Sequence, residues 1–96
     1  MSPKKQKKLN KLRNKLDKLD NSFIKLIKKR TFLVKQVLEL KEHKNQIVDK
    51  KRIKIILNLI KKKSIANKID PKITARIWKN MIWSYIDYEK RNFKKK

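Results

Sequence analysis

Residues 8–42 decide the fold of this chain, and they read KLNKLRNKLDKLDNSFIKLIKKRTFLVKQVLELKE. The segment contains no proline and no glycine, so nothing in it interrupts a helix. Its apolar residues recur in alternating steps of three and four, which predicts one long helix packed lengthwise against other helices. The residues of this stripe are Leu9, Leu12, Leu16, Leu19, Phe23, Leu26, Leu33, Val37 and Leu40.

Arg30 interrupts the stripe, because it occupies the position between Leu26 and Leu33 where the pattern expects an apolar residue. A guanidinium group does not lose its proton, so its burial is costly unless it meets an anion. No acidic residue stands one helical turn before or after Arg30. We therefore expect Arg30 to bind an anion that comes from elsewhere.

The remainder of the sequence predicts two shorter helices. Asp49 is a candidate N-cap for a helix that ends near Lys63, and Asp70-Pro71 is a strong start for a third helix. The third helix is expected to bury a broad apolar side, which consists of Ile73, Ile77, Trp78, Met81, Ile82, Tyr85 and Ile86.

The predicted fold class is all-α, with one long and two shorter helices per chain. The two shorter helices can cover only part of the long apolar stripe, so a second chain is the simplest cover and an intertwined helical homodimer is expected. We expect residues 1–7 to form a disordered basic N-terminus, residues 8–93 one helical domain and residues 94–96 a basic tail.

The formal net charge of +23 is compatible with nucleic-acid binding. The 26 lysines are spread over every segment, however. We therefore favour the interpretation that they solvate the outer faces, and we treat a Lys-rich nucleic-acid-binding protein as a weaker alternative.

With no cysteine and one histidine, we expect no metal site and no cofactor. No apolar run approaches the roughly 18 residues of a membrane span, and the expected location is the cytoplasm.

The few arginines are more informative than the lysines. Arg30 and Lys41 are eleven residues apart, about three turns, so they share a helix face. Arg13 precedes Arg30 by seventeen residues, about 25 Å along the axis, so one small ligand reaches both only in an antiparallel dimer. Arg52 stands in the first turn of the second helix, where free N–H groups favour an anion. For Lys41 and Arg52, a solvated surface side chain is the alternative.

Glu89 is the second anomaly in the sequence. Trp78, Ile82, Tyr85 and Glu89 follow one another in steps of four, three and four residues. Glu89 therefore shares a helix face with three predicted core residues. A carboxylic acid there would be partly desolvated. The alternative is a carboxylate at a frayed helix end that pairs with a neighbouring lysine.

Three segments together resemble the all-helical chorismate mutase family, over about residues 9–90. The first comprises LRNKLDKLD at 12–20, LIKKR at 26–30 and VKQVLELK at 34–41. The second is DKKR at 49–52, and the third is IWKNMIWSYIDYE at 77–89. The spacing of Arg13, Arg30, Lys41 and Arg52 makes the resemblance fairly specific.

The resemblance implies an isomerase of aromatic amino acid biosynthesis that rearranges chorismate to prephenate. According to this resemblance, Arg13 would reach across the dimer to one substrate carboxylate and Arg30 would hold the other. Arg52 would support the carboxylate end. A pericyclic reaction needs no nucleophile, metal or proton relay. It needs a dianionic substrate held in a compact conformer, and cations where negative charge develops.

The same resemblance places Lys41 and Glu89 at the ether oxygen of the breaking bond, and Asp49 near the ring hydroxyl. Two positions depart from the usual mutase pattern. Ile53 stands where the mutases have a glutamate that binds the ring hydroxyl, and Tyr85 stands where they have a serine. Both changes look like the isochorismate-pyruvate lyase branch of the family, which yields salicylate and pyruvate and is the alternative activity.

Overall fold

A computed structural model describes residues 1–94 and confirms an all-α chain. Three α-helices and one short 3-10 turn account for its regular structure, with no strand among the described residues: α1 (Pro3–Leu40), the turn (Lys44–Gln46), α2 (Lys50–Ala66) and α3 (Pro71–Asn92). The last two residues of the predicted basic tail, 95 and 96, lie outside the described residues. Within the described part of the chain, no helix is long and apolar enough to cross a membrane.

Helix α1 begins at Pro3, five residues earlier than the sequence predicts, so the expectation of a disordered segment 1–7 is wrong from Pro3 onward. The reason is the Ser2-Pro3 pair. The Ser2 hydroxyl accepts a hydrogen bond from the Lys5 amide at 3.3 Å, and the Ser2 carbonyl accepts the first helical bond from Gln6 at 2.9 Å. Serine at the N-cap and proline at the first helical position are standard start signals.

The chain divides into two compact units, and the first comprises Met1–Leu33, which is most of α1. No residue of α1 is buried. Most of its apolar stripe is exposed, with Leu16, Leu26 and Leu33 retaining 57%, 59% and 59% of their accessible surface. The first unit therefore has no hydrophobic core of its own.

The second unit begins at Val34 and contains the end of α1, the connecting loop, α2 and α3. Its core consists of Ile47, Ile82 and Ile86, all less than a tenth exposed. Other apolar residues pack around these three and are partly buried: Leu38, Val48, Ile53, Ile56, Leu57 and Phe93. The loop before α2 is thus held by Ile47 and Val48, because both insert into this core.

The sequence signals at the starts of α2 and α3 are confirmed. A carboxylate oxygen of Asp49 accepts a hydrogen bond from the Arg52 amide at 3.0 Å, and that of Asp70 accepts one from the Lys72 amide at 2.9 Å. Each bond satisfies one of the amides that a helix leaves unpaired in its first turn. Pro71 occupies the first helical position of α3, as predicted.

Helix α2 extends to Ala66, three residues beyond the predicted end, and closes with a Schellman motif. The Lys68 amide donates to the Ile65 carbonyl at 3.1 Å, and the Ile69 amide donates to the Ser64 carbonyl at 2.9 Å. Lys68 has a positive φ of 57°, a position that glycine usually occupies. Because the chain has no glycine, a lysine adopts this left-handed conformation, at a cost of about 1 kcal/mol in stability.

A buried pair of hydroxyls joins α2 to α3. Ser64 is only 3% exposed. Its hydroxyl lies 2.6 Å from the Thr74 hydroxyl and donates to the Ile60 carbonyl at 2.6 Å.

The sequence predicts that Ile73 and Ile77 are buried. Within one chain this prediction is wrong, since both residues are at least half exposed. Ile73 precedes Ile82 by nine residues, which places it on the opposite side of α3.

Candidate active site

Lys41 and Glu89 form an ion pair within the second unit. The Lys41 Nζ donates to both carboxylate oxygens of Glu89, at 3.0 Å to Oε1 and 3.2 Å to Oε2. The two side chains are 19% and 7% exposed, respectively. The structure therefore brings together two residues that the sequence places 48 positions apart and that the resemblance assigns to the same substrate oxygen.

Glu89 is buried because it shares a face of α3 with the core. It follows Ile82 by seven residues and Ile86 by three, so all three side chains project from the same side of the helix. An isolated carboxylate among apolar side chains is costly. The Lys41 ammonium offsets this cost, since it gives each oxygen a charge-assisted hydrogen bond.

The loop after α1 fixes the backbone that carries Lys41. The Lys41 amide donates to the Leu38 carbonyl at 3.1 Å, which keeps Lys41 against the last turn of the helix. The Gln46 side-chain oxygen accepts hydrogen bonds from the Glu42 and His43 amides, at 2.7 Å and 2.8 Å. Gln46 lacks the usual sequence signal for this role, because a capping box normally begins with serine or threonine and here begins with His43.

Asp49 and Arg52 lie at the start of α2, and both are exposed. Their direct contact is the N-cap bond between the Asp49 carboxylate and the Arg52 amide, so Asp49 has a structural role whatever else it binds. The Arg52 guanidinium adds positive charge to the helix end where free amides already favour an anion.

Ile53 and Tyr85 are the two positions that depart from the mutase pattern. Ile53 is half-buried and packs against the core of the second unit. Tyr85 is half-buried on α3, one turn before Glu89 and therefore on the same side of the helix. Neither side chain supplies the carboxylate that the sequence pattern of the mutases would place in the first turn of α2.

Arg13 and Arg30 belong to the first unit. Arg13 is exposed, whereas Arg30 is half-buried and its Nε is shielded from solvent. Both lie on the uninterrupted helix α1, so the seventeen residues between them correspond to about 25 Å. The expected carboxylate contacts of Arg13, Arg30 and Arg52, and the expected role of Asp49 at a ring hydroxyl, stay predictions.

Comparison with known families shows to which family the chain belongs. The sequence model of a family described as chorismate mutase type II matches residues 12–90. The chain belongs to this family. The match to chorismate mutase type II spans every predicted site residue from Arg13 to Glu89, and the all-α fold agrees with it. Membership implies an enzyme for a chorismate-type substrate. No curated protein and no solved structure matches the chain.

Proposed function

We propose that the protein is a chorismate mutase that rearranges chorismate to prephenate as a homodimer. The observation that supports this most directly is the Lys41–Glu89 ion pair, which lies within the segment that matches the family. In the rearrangement the ether C–O bond breaks and a C–C bond forms within one molecule, so no group and no electron leaves the substrate. The enzyme has to hold a reactive conformer and stabilise charge on the ether oxygen.

Lys41 is the residue best placed to stabilise that charge. An ammonium group has three N–H donors, and in the resting structure two of them bond to the oxygens of Glu89. The third donor is available for the ether oxygen without loss of the ion pair. Because Glu89 fixes the ammonium in a half-buried position, Lys41 needs little reorganisation when the charge develops, and this is the condition for electrostatic catalysis.

Glu89 contributes a second hydrogen bond in this proposal. A carboxylate cannot approach an oxygen that gains negative charge, because both are acceptors. A protonated Glu89 can donate to the ether oxygen with its hydroxyl and still accept from Lys41 with its carbonyl oxygen.

The substrate carboxylates are assigned to arginines on the strength of the family resemblance. Arg30 holds one, Arg52 supports the carboxylate end, and Arg13 is supplied by the second copy of the chain. Two features support a second copy: the exposed apolar stripe of the first unit, and the distance of about 25 Å between Arg13 and Arg30 on one helix. An antiparallel partner helix covers the stripe and brings its own Arg13 to the Arg30 of the first copy.

Isochorismate-pyruvate lyase activity on the same fold is the second candidate, and Ile53 is the observation that favours it. The half-buried Ile53 packs against the core and offers no acceptor for a ring hydroxyl. The substitution of serine by Tyr85 points to the same branch. Mutase activity is placed first because the matched family is described by that reaction.

The two activities are separated by incubating the purified protein with chorismate and with isochorismate in separate reactions. Loss of chorismate with formation of prephenate supports the mutase, and release of salicylate from isochorismate supports the lyase. The Lys41→Met variant is the control in both reactions, because any activity of this site requires the ammonium. Absence of both products from a folded natural-sequence protein would contradict the proposal.

Ile53→Glu tests whether the missing carboxylate limits a mutase. If the substrate ring hydroxyl lies at this position, the new acid gives it an acceptor and we expect turnover of chorismate to rise about tenfold, the effect of one hydrogen bond to a charged group. Ile53→Gln is the matched control, since it adds a polar group of the same length without charge. A folded Ile53→Glu variant with unchanged or lower chorismate turnover would contradict the idea and favour packing or the lyase.

A further inference from the structure

We propose that one face of α3, which lies beside the core, binds single-stranded nucleic acid independently of the active site. This face presents a row of cations with an exposed tryptophan inside it, and we call these residues the α3 basic row: Lys72, Arg76, Lys79, Trp83 and Lys90. Successive members are four, three, four and seven residues apart, so they lie on one side of the helix.

Trp83 is the unusual member of the row. It is 54% exposed, whereas the other tryptophan of α3, Trp78, is half-buried. One turn before Trp83 stand Lys79 and Asn80, and one turn after it stand the buried Ile86 and the exposed Asp87. Trp83 therefore borders the core on one side, and about half of its surface remains exposed beside Lys79. Its indole ring offers a flat π-face on which a nucleobase can stack.

The charge of the row is not neutralised within the described chain. In residues 1–94 no salt bridge involves Lys72, Arg76, Lys79 or Lys90. Helix α3 has two acidic residues, and each already has a basic partner: Asp87 accepts from the Arg91 guanidinium at 2.8 Å, and Glu89 is held by Lys41. The row therefore keeps its positive charge, and the acidic residue beside it, Asp87, is paired with Arg91.

Other occupants fit this surface less well. A second copy of the chain has the same net charge of +23, and its eight acidic residues form no acidic run that could complement the row. A helix that lies on an anionic membrane needs a broad apolar face, and the row contains one apolar ring. A double helix offers phosphates but keeps its bases stacked.

A single strand presents both groups that the row can bind. Its phosphates match the lysines and the arginine, and its unstacked bases match Trp83. Lys72 and Lys90 are eighteen residues apart, about 27 Å along the helix, which is enough for a short strand of about four nucleotides. No member of the row belongs to the proposed catalytic residues, so this surface stands or falls separately from the mutase proposal.

The first test measures binding of a fluorescein-labelled oligothymidylate of about 12 nucleotides by anisotropy, at about 50 mM and about 200 mM salt. Trp83→Ala should weaken binding about tenfold or more, and Trp83→Phe should recover most of it, because a stacked ring is worth about one base–aromatic contact. Circular dichroism and chorismate turnover should stay unchanged in both variants. Equal affinity of Trp83→Ala and the natural sequence would overturn the proposal.

The second test separates the row from the general positive charge of the chain. The pair Arg76→Gln with Lys79→Gln should weaken binding and lower the slope of log affinity against log salt by about 1.4, at about 0.7 for each lost contact. The pair Lys61→Gln with Lys62→Gln removes the same charge from exposed positions of α2 and should have little effect. Equal losses in the two pairs would overturn the proposal in favour of diffuse electrostatic attraction.

Two further outcomes would also overturn it. Inorganic polyphosphate of the same charge should compete weakly, since it has no bases, and equal competition would mean that stacking has no part in binding. Trp83→Ala should not change the size of the protein in solution. A smaller species would show that Trp83 lies in a contact between copies of the chain. Binding to anionic phospholipid vesicles that depends on Trp83, in place of binding to the oligonucleotide, would assign the surface to a membrane.

Discussion

The two units of this chain place similar apolar patterns in different surroundings. The first unit, Met1–Leu33, has a regular apolar stripe and buries none of it, whereas the second unit buries Ile47, Ile82 and Ile86 in a core between α2, α3 and the loop. The helices of both units are amphipathic. The difference in burial therefore comes from what packs against the apolar residues and not from their spacing in the sequence. An exposed apolar stripe of this length is typical of an assembly surface.

The largest expected effect comes from a charge on the stripe. Leu26 is 59% exposed in one chain, so Leu26→Asp would cost less than about 0.5 kcal/mol if the chain stayed alone. If a second copy covers the stripe, each buried leucine is worth about 1.5–3 kcal/mol, and symmetry doubles the loss. We expect Leu26→Asp to abolish the dimer and, with it, the activity.

Sedimentation of the variant at several protein concentrations measures this effect. Asn21→Asp is the matched control, because it adds the same charge to the same helix at an exposed position on the side opposite the stripe. The control should stay dimeric and active. A Leu26→Asp protein that sediments like the natural sequence would show that no second copy covers the stripe.

The next effect concerns the ion pair of the second unit. Lys41→Met should lower kcat by about 100- to 1,000-fold, the usual cost of removing one group that stabilises developing charge. It also leaves the 7% exposed Glu89 side chain without its ammonium, and should lower the free energy of unfolding by about 3–5 kcal/mol. Glu89→Gln should cost only about 1 kcal/mol, since its amide oxygen still accepts from Lys41, which is more exposed.

Urea unfolding at one fixed protein concentration compares these variants, because the stability of a dimer depends on concentration. The double variant Lys41→Met with Glu89→Gln should be more stable than Lys41→Met alone. This order follows from the unequal burial of the two partners. Equal losses for Lys41→Met and Glu89→Gln, or a double variant with additive losses, would contradict a buried pair that is held by charge.

A smaller effect is expected from Glu89→Gln on turnover. The glutamine amide can donate to the ether oxygen while its carbonyl oxygen accepts from Lys41, so this variant should retain activity. Initial rates with chorismate as the substrate measure this effect. An inactive Glu89→Gln protein that folds would contradict the role of Glu89 as a hydrogen-bond donor.

The same two units show what sequence reasoning could and could not predict. Local signals were sufficient for the caps: Asp49 and Asp70-Pro71 start their helices as predicted, because each bond spans only two or three residues. Ser2-Pro3 is a signal of the same kind, and it was missed because the basic composition of residues 1–7 was given more weight.

Contacts between distant segments needed the structure. The sequence placed Glu89 on an apolar face and Lys41 at a helix end, but no local rule relates residues 48 positions apart. The family resemblance assigned both residues to one oxygen. The structure shows that they contact each other, and the assignment to a substrate oxygen stays a prediction. The hydroxyl pair of Ser64 and Thr74 has no such signature, since serine and threonine are common in helices for other reasons.

In the proposed homodimer, a second copy covers the stripe of the first unit and supplies its Arg13 to a site that uses Arg30 of the first copy. Arg13→Ala and Arg30→Ala should each silence both sites of a homodimer, because each removes a charged substrate contact worth about 2–5 kcal/mol. In a mixed dimer one site inherits both defects, while the other has both arginines intact.

Unfolding the two variants together and refolding them therefore tests whether the active site is shared between two chains. Half of the dimers should be mixed and half of their sites intact, so the mixture should regain about a quarter of the natural activity. Each variant refolded alone should regain almost none. If the mixture stays as inactive as its parents while differently tagged copies are shown to form mixed dimers, the site is not shared between chains.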